Sequence, residues 1–221
     1  MKNIVLYKSF SAPPVCKAEI LRYMGAKELD EATSDLLDST LAEAEPSLKY
    51  MVCYTELPLK ITDDACEIGG VLFESKSLSD RLKGGDSVVL FAATLGAEFD
   101  RLLMKYSKLS PAKALMLQAF GTERIEALCD AFCKDYEEEQ RVYLTRRFSA
   151  GYGDLSILCQ REIFDMLDCE KRIGLTLNDS LLMSPSKSVT AICGVNKNSD
   201  KNKTNKCSLC EKSDCIYRGK A

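Results

Sequence analysis

Arg147-Phe148-Ser149-Ala150-Gly151-Tyr152-Gly153-Asp154 separates two segments of helical composition and reads as a loop. An arginine of fixed charge opens it, two glycines flank a tyrosine, and an aspartate closes it. A guanidinium grips a carboxylate with a planar fork of donors, and glycine lets a ligand approach bare backbone. The residues leave two readings open. One is a pocket for a small polar molecule; the other is an ordinary turn in which Asp154 caps the helix that follows.

Working outward, the C-terminal neighbour, Leu155 to Arg172, reads as a helix with an apolar stripe of Leu155, Leu158, Cys159, Ile163, Met166 and Leu167, stopped by Gly174. Its positive end would adjoin the loop and favour an anion there. On the other side, Ser110-Pro111 opens a long helix to about Gln140, with serine as cap and proline in the first turn. Ile125, Leu128, Cys129, Phe132, Cys133 and Tyr136 make one stripe of it, so the two cysteines share a face and read first as small core residues. Glu126 lies beside that stripe. Ser87 to Ala93 reads as a strand buried on both faces, feeding a helix over Ala97 to Lys108.

Further toward the N-terminus, helices are expected over residues 11–24 and 27–45, a half-buried strand over 49–60, and a strand at Val71-Leu72-Phe73 after the Gly69-Gly70 turn. Past the loop, Ser188 to Ile192 reads as a strand after a polar turn.

The 221 residues fit one large domain with a small appendage, and 46% hydrophobic with 29% charged residues is globular composition. The longest apolar run, Val88 to Ala93, is far short of the roughly 20 residues of a membrane helix. Met1-Lys2-Asn3-Ile4-Val5 lacks the core of a signal peptide, which points to the cytoplasm. A net charge of −3 without a basic face offers nothing to nucleic acid. The 11 cysteines are an odd number in a chain without a secretion signal, so they read as reduced thiols; with no histidine, any metal must be held by cysteine or carboxylate.

Three motifs follow one another along the second half: Arg147-x-x-x-Gly151-Tyr152, Glu170-Lys171-x-Ile173-Gly174 and Met183-x-Pro185-x-x-Ser188-Val189. In that order they resemble the activation (reactivation) domain of cobalamin-dependent methionine synthase, over about residues 88 to 194 and more loosely before. The resemblance implies an α+β fold over residues 1–195, a single domain with a mixed or antiparallel sheet flanked by long helices. It also implies an S-adenosylmethionine site. Arg147 would hold the methionine carboxylate, the backbone of Ser149, Ala150 and Gly151 the adenine or ribose edges, and Tyr152 the pocket wall. The family has a glutamate near Glu126, which would face the ligand's amino group.

By the same resemblance, the chain reads as a free-standing accessory subunit. It would support reductive methylation of cob(II)alamin carried by a partner methionine synthase or other corrinoid protein, with electrons from a reductase such as flavodoxin or ferredoxin. The family presents an aromatic side chain to adenine from beyond the last motif; here the only aromatic after Ser188-Val189 is Tyr217.

The C-terminal end departs from that family. Residues 196–206 have the composition of a polar linker, and 207–221 carry Cys207-x-x-Cys210-x4-Cys215. Such spacing reads as a chelate for soft metals, and with Cys193 as a fourth thiolate it fits zinc or an iron–sulfur cluster; the other reading is a disordered tail with redox-sensitive thiols. Two alternatives follow: a metal-stabilised docking module without chemistry, or an iron–sulfur electron carrier for a corrinoid protein.

Overall fold

The computed structural model describes residues 4–197. The tail cysteines Cys207, Cys210 and Cys215, Tyr217 and most of the expected linker lie outside the described residues.

The elements run β1 (Leu6–Ser9), α1 (Lys17–Met24), α2 (Glu31–Ala44), β2 (Met51–Ile61), β3 (Ala65–Ile68), β4 (Val71–Glu74), α3 (Lys76–Leu82), β5 (Ser87–Thr94), α4 (Ala97–Leu109), α5 (Pro111–Gln140), β6 (Tyr143–Leu144), α6 (Gln160–Leu167), α7 (Cys169–Ile173), β7 (Thr176–Leu177), β8 (Met183–Ser184) and β9 (Ser188–Asn196). One antiparallel sheet runs β4-β3-β2-β5-β9-β6, with β1 also on β2, and β7-β8 form a separate ribbon. The expected α+β domain, an antiparallel sheet flanked by helices, is the one observed.

Strand β5 is central because both its faces are apolar. Val88, Leu90 and Ala92 pack with Leu78, Ile163, Leu167 and Cys169 of α3, α6 and α7. Val89, Phe91 and Ala93 pack with Ile125, Leu128 and Phe132 of α5. Phe132 lies 4.7 Å from the Phe91 ring and 5.1 Å from the Tyr54 ring; such pairs each add about 0.5–1.5 kcal/mol beyond simple burial.

Helix α5 ties the molecule together. Ser110 accepts from Lys113 N at its start, with Pro111 in the first turn, as its sequence predicts. Its first half packs on α1, α2 and α4 through Met116, Leu117 and Phe120, and its second half lies on the sheet. Thus one rigid element carries every residue between 111 and 140 that faces the candidate site.

Three local expectations need correction. Residues 11–16 are not helical; α1 begins only at Lys17. Pro14 disfavours helical backbone at Pro13, and both proline carbonyls are bonded to Arg124. The helix expected over 155–172 is instead a short 3-10 turn at Ile157–Cys159, then α6, then α7, split where Asp168 turns left-handed at φ 50°. Asp154 caps neither; α6 starts six residues later, after the turn capped by Ser156. Strands β1 and β3 were not expected.

Candidate functional site

Residues 143–148 run along β9. Thr145 N donates to Gly194 O at 2.9 Å, and Phe148 exchanges both backbone hydrogen bonds with Ile192. That attachment holds Arg147 on the sheet edge facing α5. Its Nη2 donates to Glu126 Oε2 at 2.6 Å and its Nη1 to Asp130 Oδ1 at 2.5 Å. Glu126 and Asp130 stand one helical turn apart, so two carboxylates embrace one guanidinium. Burial works against the Arg147 charge, but Cys129, Asp130 and Glu126 overcome it and drive the pKa up. The group is permanently cationic.

The structure therefore brings two of the expected site residues, Arg147 and Glu126, into direct contact. It adds Asp130, which sequence reasoning did not single out, although the i, i+4 spacing from Glu126 was there to be read.

Glu126 and Asp130 also line a cavity of about 720 Å³. Its opposite wall is the irregular strap Phe10-Ser11-Ala12-Pro13-Pro14 with Cys16, and Glu19, Arg22 and Tyr23 of α1 complete it. Neither Arg147 nor any of residues 149–152 lines this cavity; Arg147 meets it only through the two carboxylates that it binds. Ser149 Oγ donates to Thr190 O at 2.6 Å, Gly151 N to Leu155 O at 2.9 Å, and Tyr152 N to Ser149 O at 3.2 Å. These groups build the loop itself. Gly151 takes φ +87°, and a Cβ there would meet Ile157 Cδ1 at 3.2 Å, so glycine is required both by conformation and by close approach. Ala150 is buried and Tyr152 is exposed.

The loop is fastened at its far end by Asp154. Ser75 Oγ donates to Asp154 Oδ1 at 2.5 Å, and Lys76 N and Ser77 N donate to the same carboxylate at 2.9 and 3.2 Å. A carboxylate at a helix N-terminus is favoured by orphan N–H groups and the dipole. Hydrogen bonding from Ser75 and Ser77 lowers the Asp154 pKa to about 2. The helix start that adjoins the loop is therefore that of α3, and a carboxylate of the protein itself already occupies it.

Cys193 is fully buried on β9, in hydrogen-bond contact with Cys133 of α5 and beside Cys129. The Cys193 bond lowers the Cys133 pKa against burial, with Arg147 adding to it, while the Cys193 thiol is raised. Among the described residues no group of three or more Cys, Asp or Glu is placed to hold a metal ion. A metal shared between Cys193 and the tail would have to enter between helix and sheet.

Antiparallel sheet and covering helices define an α+β domain, and its cavity, walled in part by carboxylates with a fixed cation behind them, has the size of a small-molecule pocket. The family model "Vitamin B12 dependent methionine synthase, activation domain" matches residues 74–218, and the chain belongs to that family. Thirteen chains of solved structures match as well. One of them is a crystal structure of the MetH reactivation domain bound to AdoHcy, 16% identical, with TM-score 0.64 over 90% of this chain and 81% of that one. At that identity the likeness establishes a shared fold. None of the curated protein sequences matches the chain.

Proposed function

We propose that the chain binds S-adenosylmethionine beside Arg147, Glu126 and Asp130 and positions it for reductive methylation of cob(II)alamin on a partner corrinoid methyltransferase. The observation that carries the reading is the pair of carboxylates, Glu126 and Asp130, that line the 720 Å³ cavity and hold Arg147 behind them. Family membership and the AdoHcy-bound structural relative support it.

The donor set fits this ligand. A guanidinium has five N–H groups in a planar fork, so its two carboxylate bonds do not exhaust it, and an incoming carboxylate can share it once Glu126 or Asp130 turns aside. Glu126 and Asp130 are half-exposed or more, so their remaining lone pairs can accept from an ammonium and lie close to a sulfonium. The cavity falls within the usual range for small-molecule sites, about 300–1,000 Å³. The ligand would supply the methyl group, and a reductase such as flavodoxin or ferredoxin the electron. This chain's own residues bind and orient. The partner holds the cobalamin.

The direct test is anaerobic reactivation. The chain and its co-purified corrinoid partner, in the cob(II)alamin state, are mixed with S-adenosylmethionine and a chemical reductant and followed by visible absorption. Conversion to methylcobalamin that requires the chain is expected. Conversion at the same rate without the chain would overturn the reading.

A further inference from the structure

The described cysteines are all free thiols, and two pairs of them touch, one on each face of the sheet. Cys53 of β2 and Cys169 of α7 hydrogen-bond on the face covered by α6 and α7. Both are sealed from solvent, and the charge beside them is the carboxylate of Asp168. Cys133 of α5 and Cys193 of β9 hydrogen-bond on the opposite face. That second pair differs in two respects. Cys193 is sealed but Cys133 is only half-buried, so a small solute reaches one sulfur and not the other. The cation beside Cys133 is Arg147, which hydrogen-bonds its sulfur while Glu126 and Asp130 hold the guanidinium in place. A neighbouring cation favours thiolate, the reactive form of cysteine.

We propose that Cys133 is a site of reversible oxidation by hydroperoxides, and that Cys193 resolves the oxidised sulfur as an intramolecular disulfide. The Cys133 thiolate attacks one peroxide oxygen. The S–O bond forms, the O–O bond breaks, and the departing hydroxide takes up a proton as water. The Cys193 sulfur then attacks the Cys133 sulfenic acid and gives its proton to the leaving hydroxyl. The S–S bond forms, the S–O bond breaks, and a second water leaves. The two thiols together lose two electrons and the peroxide gains them. A thiol reductant reverses the bridge by exchange.

Position gives the bridge its consequence. It joins α5, which carries Glu126 and Asp130, to β9, along which the Arg147 segment runs. Oxidation therefore ties together the two elements that frame the candidate site. It also withdraws Cys193 from any metal held by the tail. Cys129, one turn before Cys133 on α5, lies beside the pair but is fully buried, so the oxidant does not reach it.

The experiment uses the full chain, freed of reductant and exposed to a modest molar excess of hydrogen peroxide. Remaining thiols are alkylated, and the chain is digested with trypsin without reduction. Cleavage after lysine and arginine releases Cys133 in residues 125–134 and Cys193 in residues 188–197. Mass spectrometry is expected to find these peptides joined and two hydrogens lighter than their sum. Fragmentation should place the bond at Cys133, and dithiothreitol should undo it. Cys53 and Cys169 are expected to stay reduced. Cys133→Ser should leave Cys193 unmodified, and Cys193→Ser should stop Cys133 at the sulfenic acid, which dimedone traps. If Cys193→Ser fails to fold, wild type and Cys133→Ser decide the matter. Cys193 recovered from oxidised wild type as a free thiol overturns the proposal. So does its bonding to Cys129 or to a tail cysteine, and so does bridging of Cys53 with Cys169 to the same extent.

Discussion

Arg147 reaches across from the β9 edge to Glu126 on α5 and donates to its Oε2 at 2.6 Å, although the two residues are 21 positions apart. Asp130 takes the guanidinium's other end. One cation between two carboxylates leaves the trio with a surplus of negative charge, which suits an ammonium or sulfonium better than an anion alone. Glu126→Gln keeps the shape and removes that surplus. It should weaken S-adenosylmethionine by about 1–2 kcal/mol, as for a lost charged hydrogen bond. Titration calorimetry reads the change, and equal affinity would remove Glu126 from the site.

Gly121 on α5 tests how closely that helix is packed on α4. A Cβ there would lie 2.5 Å from Phe99 Cε1 and 2.9 Å from Phe99 Cζ. Phe99 is fully buried and its ring has nowhere to go. Alanine gains up to about 1 kcal/mol of helix propensity over glycine, whereas overpacking costs about 1–3 kcal/mol. Gly121→Ala is therefore expected to destabilise, seen as a lower denaturant midpoint. A raised midpoint would mean that the α4–α5 contact yields.

Asp154 gives the fold an acid-sensitive tie. Its folded pKa is depressed to about 2 by Ser75 and Ser77, below an unfolded value of about 3.9. Stability from a depressed carboxylate is fully present above the unfolded pKa and is lost as pH falls through the folded one. Wild type should thus melt higher than Asp154→Asn at pH about 6, with the gap closing between about pH 4 and 2. A gap that persists unchanged at the acid end would contradict the link between this loop and α3.

Much of this architecture was legible because it is local. The Ser110-Pro111 start of α5, the two-faced apolar run of β5 and the Arg147–Gly153 loop each announce themselves within a few residues. The rest depended on partners far apart in the chain. Asp154 caps a helix 78 residues away, so its capping residue type was readable but its target was not. Glu123 and Arg124 are sequence neighbours, and neighbours on a helix ordinarily point apart; here they bond each other and meet the Pro13 and Pro14 carbonyls from far up the chain. The break at Asp168 has no glycine or proline to mark it. The site divided along the same line: Arg147 and Glu126 were each singled out as ligand contacts, but their ion pair was not expected, Ser149 to Tyr152 lie off the cavity, and the strap that faces Glu126 was read as helix.

The cysteine tail offers a prediction independent of the cavity. Cys207-x-x-Cys210-x4-Cys215 has the spacing of a thiolate chelate. Cys210→Ser should lower the metal bound per chain in anaerobically purified protein, by elemental analysis. A visible charge-transfer band would mark an iron–sulfur cluster rather than zinc. Equal metal content in wild type and variant would dismiss the site. Because Cys193 is sealed in the core beside Cys133, Cys193→Ser is expected to act on stability more than on metal content.

Calorimetric titration of wild type and Arg147→Ala with S-adenosylmethionine tests ligand binding at this site most directly. One molecule is expected to bind per wild-type chain, and the variant to lose about 1.5–3 kcal/mol of binding free energy with its fold intact. Saturable binding that the variant retains at full strength, or no binding to wild type at all, would contradict it.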